Sequence, residues 1–281
     1  MSYNAHTPET SELGKKTPYT SQYTPSLLFP IPREPRRTAL GINQNLPFYG
    51  MDYWNHYEVS WLNNQGKPNV AIAEIIYGCE SPYIIESKSM KLYFNSLNNT
   101  QFTSKDLVEK TIQHDLATYL ETTNISVRII PLYEYTATII QKHIHGINID
   151  NIDVPCSTYN IDPTLLTIEA PNVSEILCSD LVRSNCPVTN QPDWCSVQIT
   201  YTGQQINHAN LLRYLVSFRN DNEFHEQCIE KIFMHILKYC KPSKLTVYGR
   251  STRRGGIDIN SYRSTQAINP QDILNVRLCR Q

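Results

Sequence analysis

The chain has 281 residues, enough for one large or two ordinary domains, each with a proper core. Apolar residues make up 40% and charged residues 18%, the composition of an ordinary soluble protein, and a net charge of -1 gives no overall reason to expect direct binding to nucleic acid or to an anionic membrane. No apolar run approaches the roughly 20 residues of a membrane span, and Met1 to Lys16 is polar, without the apolar segment of a secretory signal. The eight cysteines are unevenly spaced with no C-x-x-C, which points to reduced thiols in a cytoplasm rather than a disulfide framework.

Residues 1–40 are rich in Thr, Ser, Pro and Tyr, and proline at this density excludes helix interiors and central strands. Tyr19, Tyr23, Leu27, Leu28 and Phe29 are apolar enough for an arm that lies on a surface rather than a disordered leader. Residues 52–77 carry strand patterns. After the Gly78 to Pro82 turn, Met90, Leu92 and Phe94 alternate with Ser89, Lys91 and Tyr93, which predicts a half-buried strand with Glu86, Ser87 and Lys88 at its entrance. Ser104 suits the N-cap of a helix to about Glu121, with Val108, Ile112, Leu116 and Leu120 on one face. Ile125 to Tyr135 reads as a strand, and another is expected before Lys142-His143-Ile144-His145.

From Gly146 to about Leu166 the pattern breaks into Asn, Asp and Pro, the best boundary between two halves. The expected division is an arm at 1–40 and modules at 41–150 and 151–281. In the second half a strand from Ser196 to Thr202 is followed by helical stretches at Asn207–Phe218 and about Glu223–Tyr239. The longer helix has Phe224, Cys228, Ile232 and Ile236 at i+4 spacing. A strand follows from Lys244 to Arg250.

Four constellations could carry chemistry. Cys186 and Asp193 stand seven residues apart in a loop stiffened by Pro187 and Pro192, where a thiol could serve as nucleophile and a carboxylic acid as proton donor. A buried structural thiol and a turn aspartate would look the same. His225 and Glu226 open the longer helix, where a carboxylate is favoured by the helix dipole and a histidine could carry protons. Arg250-Ser251-Thr252-Arg253-Arg254-Gly255-Gly256 offers guanidinium forks and glycine-exposed amides, and with Lys88 and Lys91 could hold a phosphorylated ligand; a basic hairpin tip has the same composition. Cys186, Cys195, His225 and Cys228 include soft metal ligands, but none has tight zinc spacing. No G-x-G-x-x-G is present, which removes a Rossmann reading.

Taken together these motifs resemble the long, two-module form of the NADPH-dependent nitrile reductases of queuosine biosynthesis. The resemblance rests on Glu86-Ser87-Lys88-Ser89-Met90-Lys91-Leu92, on Ser184-Asn185-Cys186 with Gln191-Pro192-Asp193-Trp194, on Phe218-Arg219 with Asn222-Glu223-Phe224-His225-Glu226-Gln227-Cys228, and on Thr252-Arg253-Arg254-Gly255-Gly256-Ile257-Asp258-Ile259-Asn260. Leu13-Gly14-Lys15 and Leu27-Leu28-Phe29-Pro30-Ile31-Pro32-Arg33 resemble the family's opening; Ser261 departs from its usual proline.

The resemblance implies an α+β fold of tandem tunnelling-fold modules, with antiparallel strands and helix pairs assembling into a barrel. It also implies a cytoplasmic homodimer that reduces 7-cyano-7-deazaguanine (preQ0) to 7-aminomethyl-7-deazaguanine (preQ1) with two NADPH per turnover and no metal. By the same resemblance Cys186 forms a covalent thioimide, Asp193 donates the proton, and His225 polarises or protonates the nitrogen. Ile85, Glu86, Ser87, His225 and Glu226 bind the substrate; Ser87, Lys88, Arg254 and Gly255 bind NADPH. The alternatives are a zinc-dependent purine or pterin cyclohydrolase of the same fold and a non-catalytic purine-binding module.

Overall fold

The computed structural model describes residues 10, 19–43, 45–136, 140–273 and 275–281; Leu13-Gly14-Lys15 lies outside them. The fold is α+β, and the chain divides into two compact units. Unit 1 is Met1–Thr38, Tyr53–Ala137 and Arg254–Asp258; unit 2 is Ala39–Asp52, Thr138–Arg253 and Ile259–Gln281. Among the described residues no helix is long and apolar enough to cross a membrane.

Unit 1 begins with an arm. Strand β1 (Pro30–Pro32) pairs antiparallel with β4 (Tyr83–Ile85), Pro30 opposite Ile85, and helix α1 (Glu34–Ala39) follows. The prolines sit where proline is tolerated: two at the ends of a short edge strand and Pro35 in the first turn of α1. Upstream, the Tyr23 hydroxyl donates to both oxygens of Asp115, at 3.0 and 2.8 Å, and Tyr93 donates to the same carboxylate at 2.6 Å. The arm thus lies against the unit, as its apolar residues predict.

Strands β2 (Tyr49–Leu62), β3 (Pro68–Gly78) and β5 (Ile125–Pro131) are adjacent in the order β5-β3-β2, with β3 and β5 antiparallel from Ala71↔Pro131 to Tyr77↔Ile125. Helix α3 (Lys105–Leu120) is capped by Ser104, whose hydroxyl accepts from the Leu107 N–H. Val108, Ile112, Leu116 and Leu120 are all fully buried, as their spacing predicts.

The segment after Glu86 corrects the sequence reading. Ser87–Leu97 is a helix, α2, not a strand. Alternation accounts for Met90, Leu92 and Phe94, but Tyr93 and Leu97 are also fully buried, and Met90, Tyr93, Phe94 and Leu97 together follow the helical i, i+3, i+4, i+7 rule. What decides it is Glu86, a helix cap whose carboxylate accepts from the N–H groups of Lys88 and Ser89.

In unit 2 the strand order is β11 (Ile257–Ser264), β10 (Lys244–Ser251), β9 (Pro192–Ile206), β8 (Ile168–Asn185), β7 (Ile147–Asn148). The pair β8–β9 is a long antiparallel hairpin with register shifts between Glu169 and Asn172 and between Ser179 and Val182. Helices α4 (His208–Val216) and α5 (His225–Cys240) follow β9. Gly249 lets α5 approach β10: a Cβ there would come within 2.3 Å of Ile229 Cδ1. The fully buried Arg263 anchors this packing, bonding Asp52 at 2.9 and 3.2 Å and Glu230 of α5 at 2.8 and 3.0 Å, with its guanidinium over the Phe48 ring.

Candidate active site

In unit 2 the site residues gather at the closed end of the β8–β9 hairpin and the start of α5. The register sets Ser184 opposite Asp193 and Asn185 opposite Pro192. Beyond it, the Cys186 N–H donates to the Gln191 carbonyl at 2.8 Å, and the Asn190 N–H donates to the Cys186 carbonyl at 3.0 Å, with Asn190 in the left-handed region at φ 55°. Cys186 follows β8 directly, two residues past the Ser184 that faces Asp193. Cys186 is half-buried and not in a disulfide, whereas Asp193 is buried at 6% exposure.

The segment before α5 straps this end in place. The Asn185 N–H donates to the Asp221 carbonyl at 2.8 Å, and the Glu223 N–H donates to the Asn185 carbonyl at 3.2 Å. The Asn185 amide donates to the Arg219 carbonyl and to Asn222, Arg183 donates to the Arg219 carbonyl and the Asn185 side chain, and Asn222 donates to Asn190. Lys231 of α5 closes the strap by bonding Asp221 at 3.0 Å and Glu223 at 2.7 Å. None of these roles is visible in residue type alone; the signal was their proximity to Cys186 and His225 in two of the quoted motifs.

His225 lies in the first turn of α5 between two partners. Its Nδ1 is 2.9 Å from the Ser251 hydroxyl, and its Nε2 is 3.9 Å from Asp193 Oδ1. The second distance is too long for a hydrogen bond but within the reach of an ion pair. Glu226, next on the helix, is buried at 1% exposure.

Cys178, Cys195, Cys228 and Cys240 differ from Cys186 in being buried. Burial pushes the thiols of Cys178 and Cys240 up to about 11 and Cys195 to about 12, and raises Cys228 well above the ordinary range. Such thiols are weak nucleophiles near neutral pH. Among the described residues no group of three or more His, Cys, Asp or Glu is placed to hold a metal ion.

The other expected residues lie in unit 1. Ile85 closes β4, and Glu86 follows it fully buried; burial raises its carboxyl above the ordinary range, opposed by the Lys88 and Ser89 N–H bonds and the nearby Lys91 and Lys88 charges. The arm reaches this point, since the Glu86 N–H donates to the Phe29 carbonyl at 2.9 Å and the Phe29 N–H donates to the Ser89 hydroxyl at 3.0 Å. Ser87 and Lys88 form the first turn of α2.

Arg254 and Ile257 close a tight turn through Gly255 and Gly256, at φ 57° and 75°. Two successive left-handed residues are what a two-residue hairpin turn requires, so the basic cluster includes a hairpin tip. A Cβ on Gly255 would meet the Lys91 side chain of α2 at 3.0 Å, which brings the turn and the signature helix together. His56 supports the turn, with Nδ1 3.2 Å from the Gly256 carbonyl and its ring 4.3 Å from that of Phe94. Burial lowers its pKa to about 4, so it stays neutral. A turn with a bare Gly255, preceded by Arg254 and lying against the Lys91 side chain, has donors and cations of the kind that fit a dinucleotide phosphate such as those of NADPH.

A family model described as nitrile reductase, 7-cyano-7-deazaguanine-reductase N-term, matches residues 19–129, and a second, described as QueF-like protein, matches residues 192–270. The NADPH-dependent 7-cyano-7-deazaguanine reductase of Legionella pneumophila strain Lens is 54% identical over 272 residues, covering 96% of this chain and 95% of the relative. That of Paraburkholderia phytofirmans is 50% identical over 278 residues, covering 98% and 100%. The chain belongs to the 7-cyano-7-deazaguanine reductase family.

This nitrile reductase membership covers nearly the whole chain. The two family models take in Ile85 to Lys88 on one side and Asp193, His225, Glu226, Arg254 and Gly255 on the other. Cys186 lies between the two matches, just ahead of the second. A structure of the apo archaeosine synthase QueF-Like, 16% identical, overlaps 36% of this chain at a TM-score of 0.31, too low to bear on the fold.

Proposed function

We propose that this protein reduces the nitrile of 7-cyano-7-deazaguanine (preQ0) to the aminomethyl group of preQ1, in queuosine biosynthesis, with Cys186 as the covalent nucleophile. The observation that carries the reading is one hairpin end that holds a half-buried Cys186 and a buried Asp193, with His225 3.9 Å from Asp193.

The Cys186 thiolate adds to the nitrile carbon, forming the S–C bond while one C–N π pair moves to nitrogen. Asp193 supplies the proton which that nitrogen takes, giving a thioimide. His225, between Ser251 and Asp193, exchanges a proton with the carboxyl and balances the charge it acquires. NADPH, when bound, supplies hydride, one from each of two molecules, and the sulfur departs between the two reductions. Glu226 and Glu86 accept from the amino and ring N–H groups of the deazaguanine, with Ile85, Ser87 and His225 completing the substrate contacts. Glu86 Oε1 accepts from the Lys88 N–H and, at 3.5 Å, from the Ser87 hydroxyl, while Oε2 accepts from the Ser89 N–H. A buried carboxylate discriminates strongly, because a wrong base leaves it unpaired. Ser87, Lys88, Arg254 and Gly255 hold the NADPH phosphates.

The same reading takes the α+β elements as two tunnelling-fold modules in a cytoplasmic homodimer, with bounds that depart from contiguous modules at 41–150 and 151–281 behind an arm at 1–40, since residues 39–52 belong to unit 2 and 254–258 to unit 1. The zinc cyclohydrolase reading is disfavoured by the 54% identity to a relative named as a reductase. Mixing the protein with preQ0 in the absence of NADPH, and measuring intact mass, tests the reading. An adduct of intact preQ0 mass is expected for wild type and none for Cys186→Ala, with NADPH then releasing preQ1. No adduct and no NADPH oxidation would sink the reductase reading; stoichiometric zinc would favour the cyclohydrolase.

A further inference from the structure

We propose that Ser251 is a positioning residue for the acid–base pair, holding the His225 ring by Nδ1 so that Nε2 faces Asp193. The inference rests on the reductase reading of Cys186 and Asp193 and assigns a role to a residue to which the resemblance gives none.

The argument follows donors and acceptors. Ser251 ends β10, is buried at 2% exposure, and stands opposite Cys195 of β9. The Cys195 S–H donates to the Ser196 carbonyl at 3.3 Å, which leaves the sulfur lone pairs to accept. A serine hydroxyl carries two lone pairs and can accept from a partner's N–H. That partner is His225 Nδ1, 2.9 Å away. With Ser251 as the acceptor, Nδ1 carries the hydrogen in the neutral ring as well as in the charged one. The nitrogen whose protonation changes is Nε2, the one 3.9 Å from Asp193 Oδ1. A histidine that exchanges protons with the carboxyl needs this tautomer, and Ser251 selects it.

The platform beneath Ser251 is rigid. Gln281 donates through its amide to the Ser251 carbonyl at 3.0 Å and to Asn260 at 2.9 Å, while its amide oxygen accepts from buried Arg250 at 2.9 Å and from the Leu278 N–H at 3.1 Å. These bonds fix the height of Ser251 on the strand, so the hydroxyl meets the ring without a rotamer search.

The test is steady-state NADPH oxidation with preQ0 in Ser251→Ala, Ser251→Thr, His225→Ala and the Ser251→Ala/His225→Ala double variant, with thermal melting alongside. Ser251→Ala should lower kcat on the order of 10-fold while the KM for preQ0 stays within about twofold, because positioning acts on the reacting geometry rather than on binding. Ser251→Thr, which keeps the hydroxyl, should restore most of kcat. In the His225→Ala background the Ser251→Ala change should add nothing further. Should Ser251→Ala fail to fold, Ser251→Cys keeps the volume with a much weaker hydrogen bond and takes its place. Wild-type kcat in the hydroxyl-free variant, an effect that multiplies independently of His225, or a Thr variant no better than Ala at equal Tm each overturns the proposal. If wild type itself leaves NADPH unoxidised, the parent reading is what fails.

Discussion

Glu86 accepts twice from Ser89: the Ser89 N–H donates to the Glu86 carboxylate at 2.8 Å, and the Ser89 hydroxyl donates to the Glu86 carbonyl at 2.7 Å. The proposed base-reading carboxylate is therefore also the N-cap of α2, so stability and substrate recognition meet at one side chain. Glu86→Ala should cost about 1 kcal/mol in urea unfolding through the lost cap, and raise the KM for preQ0 as well.

Its titration gives a signed test. Burial raises the folded carboxyl above its unfolded value, so its stabilising contribution is present below the unfolded pKa and is lost as pH rises through the folded one. The stability of Glu86→Gln relative to wild type should accordingly improve as pH rises from about 4 towards 7. A difference that stays flat with pH would contradict the direction of the shift.

Gly255 is a turn residue that a side chain cannot replace. Its φ of 57° and the Lys91 side chain 3.0 Å from a would-be Cβ make Gly255→Ala both strained and crowded. The KM for NADPH is expected to rise several-fold, with preQ0 adduct formation in its absence unchanged. Loss of the adduct as well would mean that the turn supports the fold rather than the cofactor.

Thiol reactivity should follow burial. Iodoacetamide at neutral pH is expected to label Cys186, Cys156 and Cys279 ahead of Cys178, Cys195, Cys228 and Cys240, whose thiols burial holds protonated. Peptide mass mapping reads the order, and prior incubation with preQ0 should protect Cys186 alone.

Arg263 is the shared counter-ion of two buried carboxylates, Asp52 and Glu230. Arg263→Met should destabilise the fold by about 3–5 kcal/mol, as breaking a buried charge cluster does. Asp52→Asn, which leaves Glu230 in place, should cost less; urea midpoints compare the two.

The sequence by itself determined the family, through motifs in four separated places, and the elements whose periodicity admits one reading. Helix α3, with its Ser104 cap and four-residue stripe, is one; β10 is another. It misread Ser87–Leu97, because Met90, Leu92 and Phe94 satisfy a period of two while Tyr93 and Leu97 satisfy 3.6, and only the Glu86 cap separates them. Tertiary structure alone decided which partners the reactive groups meet. Ser251 lies 26 residues from His225 in sequence and 2.9 Å from it in space, and Asn185 and Arg219 are 34 apart. A periodic pattern reports which face of an element is buried, because burial repeats with the backbone. A single hydrogen bond between distant residues repeats nowhere, and it exists only once the strands and helices that carry it have packed.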